Sequence, residues 1–392
     1  GDKVIALSLD VDSDAVASIL SEKAAELNQK AVDNGLVRED GAFKIIKGEQ
    51  GIEVNVEDSI AAIENYISSE WDGGNAEIEL VAEVVEPRGS EEDLEQITDM
   101  MGSYTTNYKD SGQNRCDNIS NATSKINGTL LYPGEEFSVY EAIGPLDAAN
   151  GYELAGAYEN GQTVESYGGG VCQVSTTLYN AAILAELEIT QRSNHSMIVS
   201  YVKPSMDAAI AGDYKDLRFV NNQDIPIYIE GYTEGKNVTF KIYGHDTRPS
   251  NRVVTYESEV VSEQDPGTQY VATGDPAGYM KTAQGKHIGY VARLWKVVTV
   301  DGVEESREIF NKSTYKASPK IVNVGTASAD PNVSAVIGAA LATGDEATIN
   351  AAVAPYAASA AAILNPAPVE QPSQEEQAIT GTVDESQITG GE

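Results

Sequence analysis

Apolar and polar positions alternate over residues 76–85, with Ile78, Leu80 and Val84 against Glu77, Glu79 and Glu83, the period of a half-buried strand. The same reading of the first 88 residues gives a strand at 3–9 and a helix over 15–32 capped by Asp12, Ser13 and Asp14. Strands follow at 43–46 and 52–56 around a turn at 48–51, then a helix through Glu70 that starts at Glu57, Asp58 and Ser59. Residues 1–88 should therefore form a small α+β domain whose acidic side chains are solvated. A linker is expected at 89–97, with a helix beginning at Asp93 and running to Met101.

Over residues 98–249 the period changes repeatedly. A strand at 102–108 leads to a helix over 114–127, with Ile119, Ala122 and Ile126 on one side. Short β segments separated by glycines run up to Gly168, Gly169 and Gly170. A second helical stripe then begins, at Val174, Leu178, Ala181 and Ala185. Strands are expected at 197–202, at 217–220, and at 225–229 paired with 238–243. This region reads as a mostly-β domain with one or two buried helices. Residues 250–326 read as a small β module, with strands at 253–256, 289–300 and 321–324 and a hairpin turn at Asp301-Gly302. Residues 327–392 are alanine-rich, then rich in Pro, Gln, Glu and Ser, and are expected to end as a disordered acidic tail. The fold class is α+β and multidomain.

Charge narrows the partners. With 26 basic and 61 acidic side chains the net charge is −35, which repels phosphate backbones and anionic headgroups, so nucleic acid is excluded as a partner. No apolar run long enough to span a membrane is expected. The chain opens on Gly1-Asp2-Lys3 without a methionine, as expected of a monomeric secreted or anchored protein whose signal or membrane anchor has been removed. Two cysteines, Cys116 and Cys172, exclude a disulfide framework and a cysteine-based zinc site. No metal or cofactor is expected.

Cys172 sits where the glycine turn feeds a helix. Unpaired N–H groups and the helix dipole there favour a thiolate, although a packed core cysteine would fit the same pattern. Of three histidines, His195 has polar neighbours, Asn194 and Ser196, and follows the helix closely enough to return to it. A Cys–His pair supplies a nucleophile and a general acid. Asp207, Asp213 or Asp216 could orient the imidazole. Arg218 could bind a carboxylate or simply pair with Asp216, and Tyr167 and Tyr179 could line a groove or fill a core.

Asn114-Arg115, Asn118-Ile119, Pro133-Gly134-Glu135, Phe137-Ser138, Gly144-Pro145, Gly151-Tyr152 and above all the run from Gly168 to Asn180 resemble the VanW domain family. His195-Ser196 and the stretch from Asp216 to Phe219 continue the likeness, which covers about residues 98–249. Residues 1–88 are similar to the peptidoglycan-binding domain that precedes VanW domains, and 252–326 to a divergent five-glycine wall module. The family is named for vancomycin-resistance clusters. The resemblance implies an L,D-transpeptidase-like fold and role in the Gram-positive cell wall, with peptidoglycan stem peptides as substrates and an extracellular, wall-associated location. Carried onto this chain, it makes Cys172 the nucleophile of a cysteine acyltransferase, an L,D-transpeptidase or L,D-carboxypeptidase, and His195 its base. Asp216 is taken as third member, N–H groups around Gly169, Gly170 and Gln173 as oxyanion donors, and Arg218 and Tyr167 as substrate contacts. The alternative is a non-enzymatic peptidoglycan-binding scaffold with a structural cysteine. Cys116 has no counterpart in the family pattern and leaves a Cys116–Cys172 disulfide open.

Overall fold

The computed structural model describes residues 11–159, 162–212 and 214–364. It divides into two units, residues 1–264 with 288–317, and residues 265–287 with 318–392. The strand expected at 3–9 and the tail from 365 onward lie outside the described residues.

The first unit begins with α1 (Ser13–Leu27), whose N-cap Asp12 accepts from the Ala15 N–H. α1 stops short of the expected Val32, because the chain after Asn28 is drawn into bridges of Gln29 with Ile52 and of Val32 with Glu49. A hairpin follows, β1 (Gly35–Glu39) and β2 (Ala42–Ile46), turning through Asp40 and Gly41 at positive φ. Next come β3 (Gly51–Val54), α2 (Val56–Ser69) and β4 (Ala82–Val85), which pairs with β3 and is shorter than its alternating sequence suggests. The helix expected from Asp93 to Met101 is only α3 (Glu91–Glu95), since residues from Asp99 onward are claimed by a sheet.

That sheet is the floor of the central region. β5 (Asp99–Asn107) leads into α4 (Gln113–Ile126), β6 (Thr129–Leu131), β7 (Glu136–Ser138) and α5 (Val139–Ile143). A hairpin of β8 (Leu154–Glu159) and β9 (Gln162–Tyr167) then enters the buried helix α6 (Val171–Leu184). β10 (Glu188–Gln191), β11 (Arg218–Val220), β12 (Ile227–Glu234) and β13 (Asn237–Gly244) complete it. β5, β13, β12 and β6 form one antiparallel sheet in that order, and β10, β11 and β7 a second. Helix α6 lies on β5 so closely that a Cβ on Gly102 would meet the Ala181 carbonyl oxygen at 2.3 Å. The predicted stripe Val174, Leu178, Ala181 and Ala185 is fully buried. So are Gln173, Ser175, Thr176, Thr177 and Asn180, because α6 is covered on every side.

Two further sheets follow. β14 (Arg252–Gln264) belongs to the first unit; β15 (Thr268–Pro276) and β16 (Met280–Gln284) belong to the second. β17 (Gly289–Val300) and β18 (Val303–Tyr315) return to the first unit as a long hairpin across Asp301-Gly302, and β14 pairs with β17. The region expected to be one separate β module at 250–326 is thus shared between the two units. Its ribbon of β14, β17 and β18 packs Tyr256, Leu294 and Phe310 into the same core as α6.

In the second unit β19 (Lys320–Ala327) runs parallel to β15 and antiparallel to β16. The alanine-rich stretch forms α7 (Pro331–Thr343), α8 (Glu346–Val353) and α9 (Ala357–Leu364), which bury Ile337, Ile349 and Val353 with Val322 and Val324. Against the expectation of no such segment, residues 346–364 form one 19-residue helical stretch of mean hydropathy 1.4, long and apolar enough by composition to cross a membrane.

Candidate active site

The glycine turn is shaped to start α6 where it does. Gly170, at the N-cap, has φ +116°, and a Cβ on Gly169 would sit 2.6 Å from the Ala155 carbonyl oxygen. Neither position tolerates a side chain. Cys172 follows as the second residue of the helix, where its N–H has no intrahelical acceptor.

One line of polar side chains then clips α6 to residues 206–210. Asn180 donates from Nδ2 to the Met206 carbonyl at 2.8 Å, and Thr176 Oγ1 accepts from the Ala208 N–H at 3.0 Å. Cys172 Sγ lies 3.5 Å from both the N–H and the carbonyl of Ile210. Four residues of helix rise about 6 Å and two residues of extended chain about 6.6 Å. Cys172, Thr176 and Asn180 therefore keep step with every second residue of the facing segment. Asp207, between two of these rungs, is fully buried.

Asp207 holds His195. One carboxylate oxygen accepts from the His195 backbone N–H at 2.7 Å and lies 2.6 Å from Nδ1 of the ring. Nδ1 being occupied, the other ring nitrogen, Nε2, is the one left free to serve Cys172, whose thiol and the imidazole shift each other's titration. Burial pushes the Cys172 thiol up, but the hydrogen bond and charge of His195, aided by the Ile210 backbone, outweigh it and hold the thiol below its ordinary value. Burial pulls His195 down, and its bonds to Asp207 and Cys172 more than reverse this, raising it to about 9. Burial would raise Asp207, yet the contacts with His195 and the charge of Arg192 keep it depressed. The three shifts point the same way: each favours moving the proton from Cys172 toward His195, with Asp207 as counter-charge. Cys172 is partly buried, and His195 is buried at 7 % exposure.

A buttress surrounds the carboxylate. Arg192 donates from Nη2 to Asp207 Oδ1 at 3.1 Å and from Nε to its carbonyl at 2.7 Å. The Tyr315 hydroxyl donates to the same Oδ1 and accepts from the Ser205 N–H at 2.7 Å. Ser313 accepts from Arg192 Nη1 at 2.9 Å. Ser313 and Tyr315 lie on β18, more than a hundred residues from Asp207. Nothing in the local sequence signals them; their alternation on one strand, i and i+2, is the only hint.

Several expected site residues stand elsewhere. Asp216 is buried away from His195: it accepts from Ser138 Oγ at 2.5 Å and from the N–H groups of Tyr140 and Leu217 at 2.9 and 2.8 Å. Its task is to fasten the start of α5 to β11, and Asp207 occupies the place at His195 expected of Asp216. Arg218 is spent on three carboxylates, those of Glu136, Glu141 and Asp216. The N–H groups of Gly169 and Gln173 donate within the turn, to Ser166 and Gly170, which leaves those of Gly170 and Cys172 as donors near the nucleophile. The Gln173 side chain is also engaged, with Thr106, Asn107 and Arg115. Tyr167 is exposed at the end of β9, and Tyr179 is buried under Arg192 with its hydroxyl bound by Asn311. Asp213 lies outside the described residues. No strand forms at 197–202, because backbone groups on either side of it are taken by Asp207, Thr176 and Ser193 rather than by a neighbouring strand. Cys116 and Cys172 are both free thiols.

Comparison with known proteins fits this arrangement. Residues 114–243 match the family described as VanW like protein, residues 2–72 the "Putative peptidoglycan binding domain" family, and residues 255–327 the G5 domain. The chain is 33% identical over 187 residues to the protein YoaR of Bacillus subtilis (strain 168), covering 47% of this chain and 62% of YoaR. It is 30% identical over 118 residues to the Vancomycin B-type resistance protein VanW of Enterococcus faecalis (strain ATCC 700802 / V583), covering 29% and 42% of the two chains. The matched stretches thus span less than two thirds of either relative. An IgA1 protease G5 domain structure is 24% identical and covers 20% of this chain and 94% of its own, at a TM-score of 0.14 that adds nothing on the fold. The chain carries a VanW family domain, with a peptidoglycan-binding-type domain before it and a G5 domain after it.

Proposed function

We propose that this protein is a cell-wall acyltransferase that works on peptidoglycan stem peptides through a thioester on Cys172. The observation that carries the reading is the line from partly buried Cys172 through His195 to buried Asp207. A core cysteine needs no base, and a base needs no buried carboxylate unless its charge matters. The reaction is L,D-transpeptidase-like. The Cys172 thiolate attacks the carbonyl of the third stem residue, the bond to the terminal D-alanine breaks, and the departing amine takes a proton from His195. The Cys172 N–H faces the developing oxyanion. An amine from a second stem then attacks the thioester and returns a proton to His195, forming the crosslink and regenerating the thiolate. Water in place of that amine makes the protein a carboxypeptidase. The flanking domains would hold the enzyme on its polymer, outside the cell.

The test is incubation of the purified chain with tetrapeptide-stem muropeptides, followed by intact-mass and muropeptide analysis. The expected result is a covalent adduct on Cys172 and release of D-alanine, both absent in Cys172→Ala. Crosslinks formed equally by Cys172→Ala would overturn the mechanism. A parent protein that binds the polymer but never acylates would instead support a scaffold.

A further inference from the structure

Beside the nucleophile turn lies a groove of about 460 Å³, lined by Asp110, Ser111, Arg115, Ala155 and Gly156 among others. Its distinctive member is Arg115. The side chain leaves α4 and passes over the turn, where a Cβ on Gly170 would meet its Cγ at 3.0 Å. Its guanidinium then reaches Gln173, with Nη2 2.8 Å from Oε1, while Nη1 donates to Ser111 Oγ at 2.7 Å. Arg115 thus touches the residues on both sides of the Val171–Cys172 step. The Tyr201 phenol senses the charges of both Cys172 and Arg115, which places the two in one electrostatic neighbourhood.

Both acceptors of Arg115 are neutral, and among the described residues it forms no ion pair, not even with Asp110 on the same rim. This is unusual in a chain of net charge −35, where Arg192, Arg218, Arg248 and Arg252 each hold a carboxylate. Two of its five N–H donors are used, so donors remain for a bidentate acid. A half-buried guanidinium without a counterion, facing a groove, is a carboxylate site waiting for its ligand.

We propose that Arg115 binds the C-terminal carboxylate of the donor peptide, the one that leaves with the terminal D-alanine. The inference rests on the acyl-transfer reading above and adds its specificity. That carboxylate lies one residue beyond the bond that Cys172 breaks, as Arg115 lies over the turn that carries Cys172. Binding there selects a donor with a free terminus and turns its scissile carbonyl toward the thiolate. Arg218, with three carboxylates already on it, has no such capacity.

The experiment compares two synthetic donors, a tetrapeptide stem ending in D-alanine and the same peptide ending in D-alaninamide, by the rate at which each acylates Cys172. The parent should prefer the acid by about 10- to 100-fold in kcat/KM, the worth of one charge-assisted pair. In Arg115→Gln the preference should collapse toward one, through loss of the acid reaction while the amide reaction persists. Because the ratio is internal to each preparation, partial misfolding does not disturb it. A parent that acylates with both peptides equally, or an Arg115→Gln that keeps the preference, overturns the inference and leaves acyl transfer standing. Should Arg115→Gln lose both reactions, Arg115→Lys decides: a weakened acid preference supports the assignment and an undiminished one overturns it. A parent that acylates with neither peptide removes the acyl-transfer reading and this inference together.

Discussion

Among the described residues, two aspartates of the central region are fully buried, each with an arginine at hand, and they do opposite things. Asp216 gives its oxygens to Ser138, to two backbone N–H groups and to Arg218. Asp207 gives one oxygen to Arg192 and Tyr315 and the other to His195. The partners of Asp216 hold their protons throughout the physiological range, so its charge fixes a corner of the fold. One partner of Asp207 titrates and touches a thiol, so its charge sets which way a proton sits. A buried Asp–Arg pair is therefore no sign of a site. The deciding feature is whether the remaining oxygen ends on a group that can change its protonation.

Substitution should separate the two. Asp207→Asn should lower kcat for acylation on the order of 10³-fold, because the imidazolium loses its counter-charge and its orientation. Single-turnover kinetics on folded protein measures this. Asp216→Asn should instead cost roughly 3 kcal/mol of stability, the order seen when one partner of a buried pair is removed, with kcat per folded molecule unchanged. Denaturant unfolding read beside activity checks it, and equal activity losses in both variants would erase the distinction.

pH should report the same contrast. The Asp207-backed pair is active while Cys172 is ionised and His195 still carries its proton. Acylation should rise as the thiol ionises, at a pH below the ordinary thiol value, and fall as His195 is lost near 9. His195 is raised above its unfolded value, so its contribution to stability is fully present below about 6.5 and disappears as pH climbs through about 9. In Cys172→Ala the imidazole loses one of the two bonds that raise it. Its NMR titration should move down.

A smaller effect is expected at the buttress. Tyr315→Phe removes one hydrogen bond from Asp207 but leaves the contact with His195, so kcat should fall about tenfold with KM unchanged. The alkaline limb should shift as well, which a merely structural tyrosine would not produce. The smallest change in catalysis is expected for Arg218→Ala, whose partners Glu136, Glu141 and Asp216 all stand away from the thiol. Donor affinity should stay near the parent value, while the melting temperature falls because buried Asp216 loses a counter-charge.

Helices α1, α2, α4 and α6, the hairpin at 234–237 and the glycine turn were legible in the sequence, because each is fixed by residues close together along the chain. Cys172 and His195 could be nominated for the same reason. Choosing among Asp207, Asp213 and Asp216 could not be done that way, since all three follow His195 within a couple of dozen residues. What separates Asp207 from Asp216 is the polar line Cys172, Thr176, Asn180. The four-residue spacing stands in the sequence, but the segment it grips, 206–210, forms no regular element of its own. Helix patterning also misled in one respect. The apolar stripe of α6 suggested one buried face, whereas tertiary packing buries its threonines and asparagine too and satisfies them through 206–210. Tyr315 and Arg115 were hidden for different reasons. One acts from a distant strand, and the other differs from its fellow arginines in having no carboxylate partner among the described residues.

The hairpin of β17 and β18 has a consequence for inheritance. The VanW match ends at Tyr243 and the G5 match begins at Thr255, so the stretch between them looks like a natural seam. Yet Tyr315 and Ser313, which lie beyond that seam, brace the aspartate that lies before it. A fragment cut there would keep Cys172, His195 and Asp207 and still have an unfinished centre. Recombination across the seam would exchange more than a binding accessory. In this protein the two matched regions share one centre, so a graft of its VanW domain onto a foreign partner should bring the ribbon along.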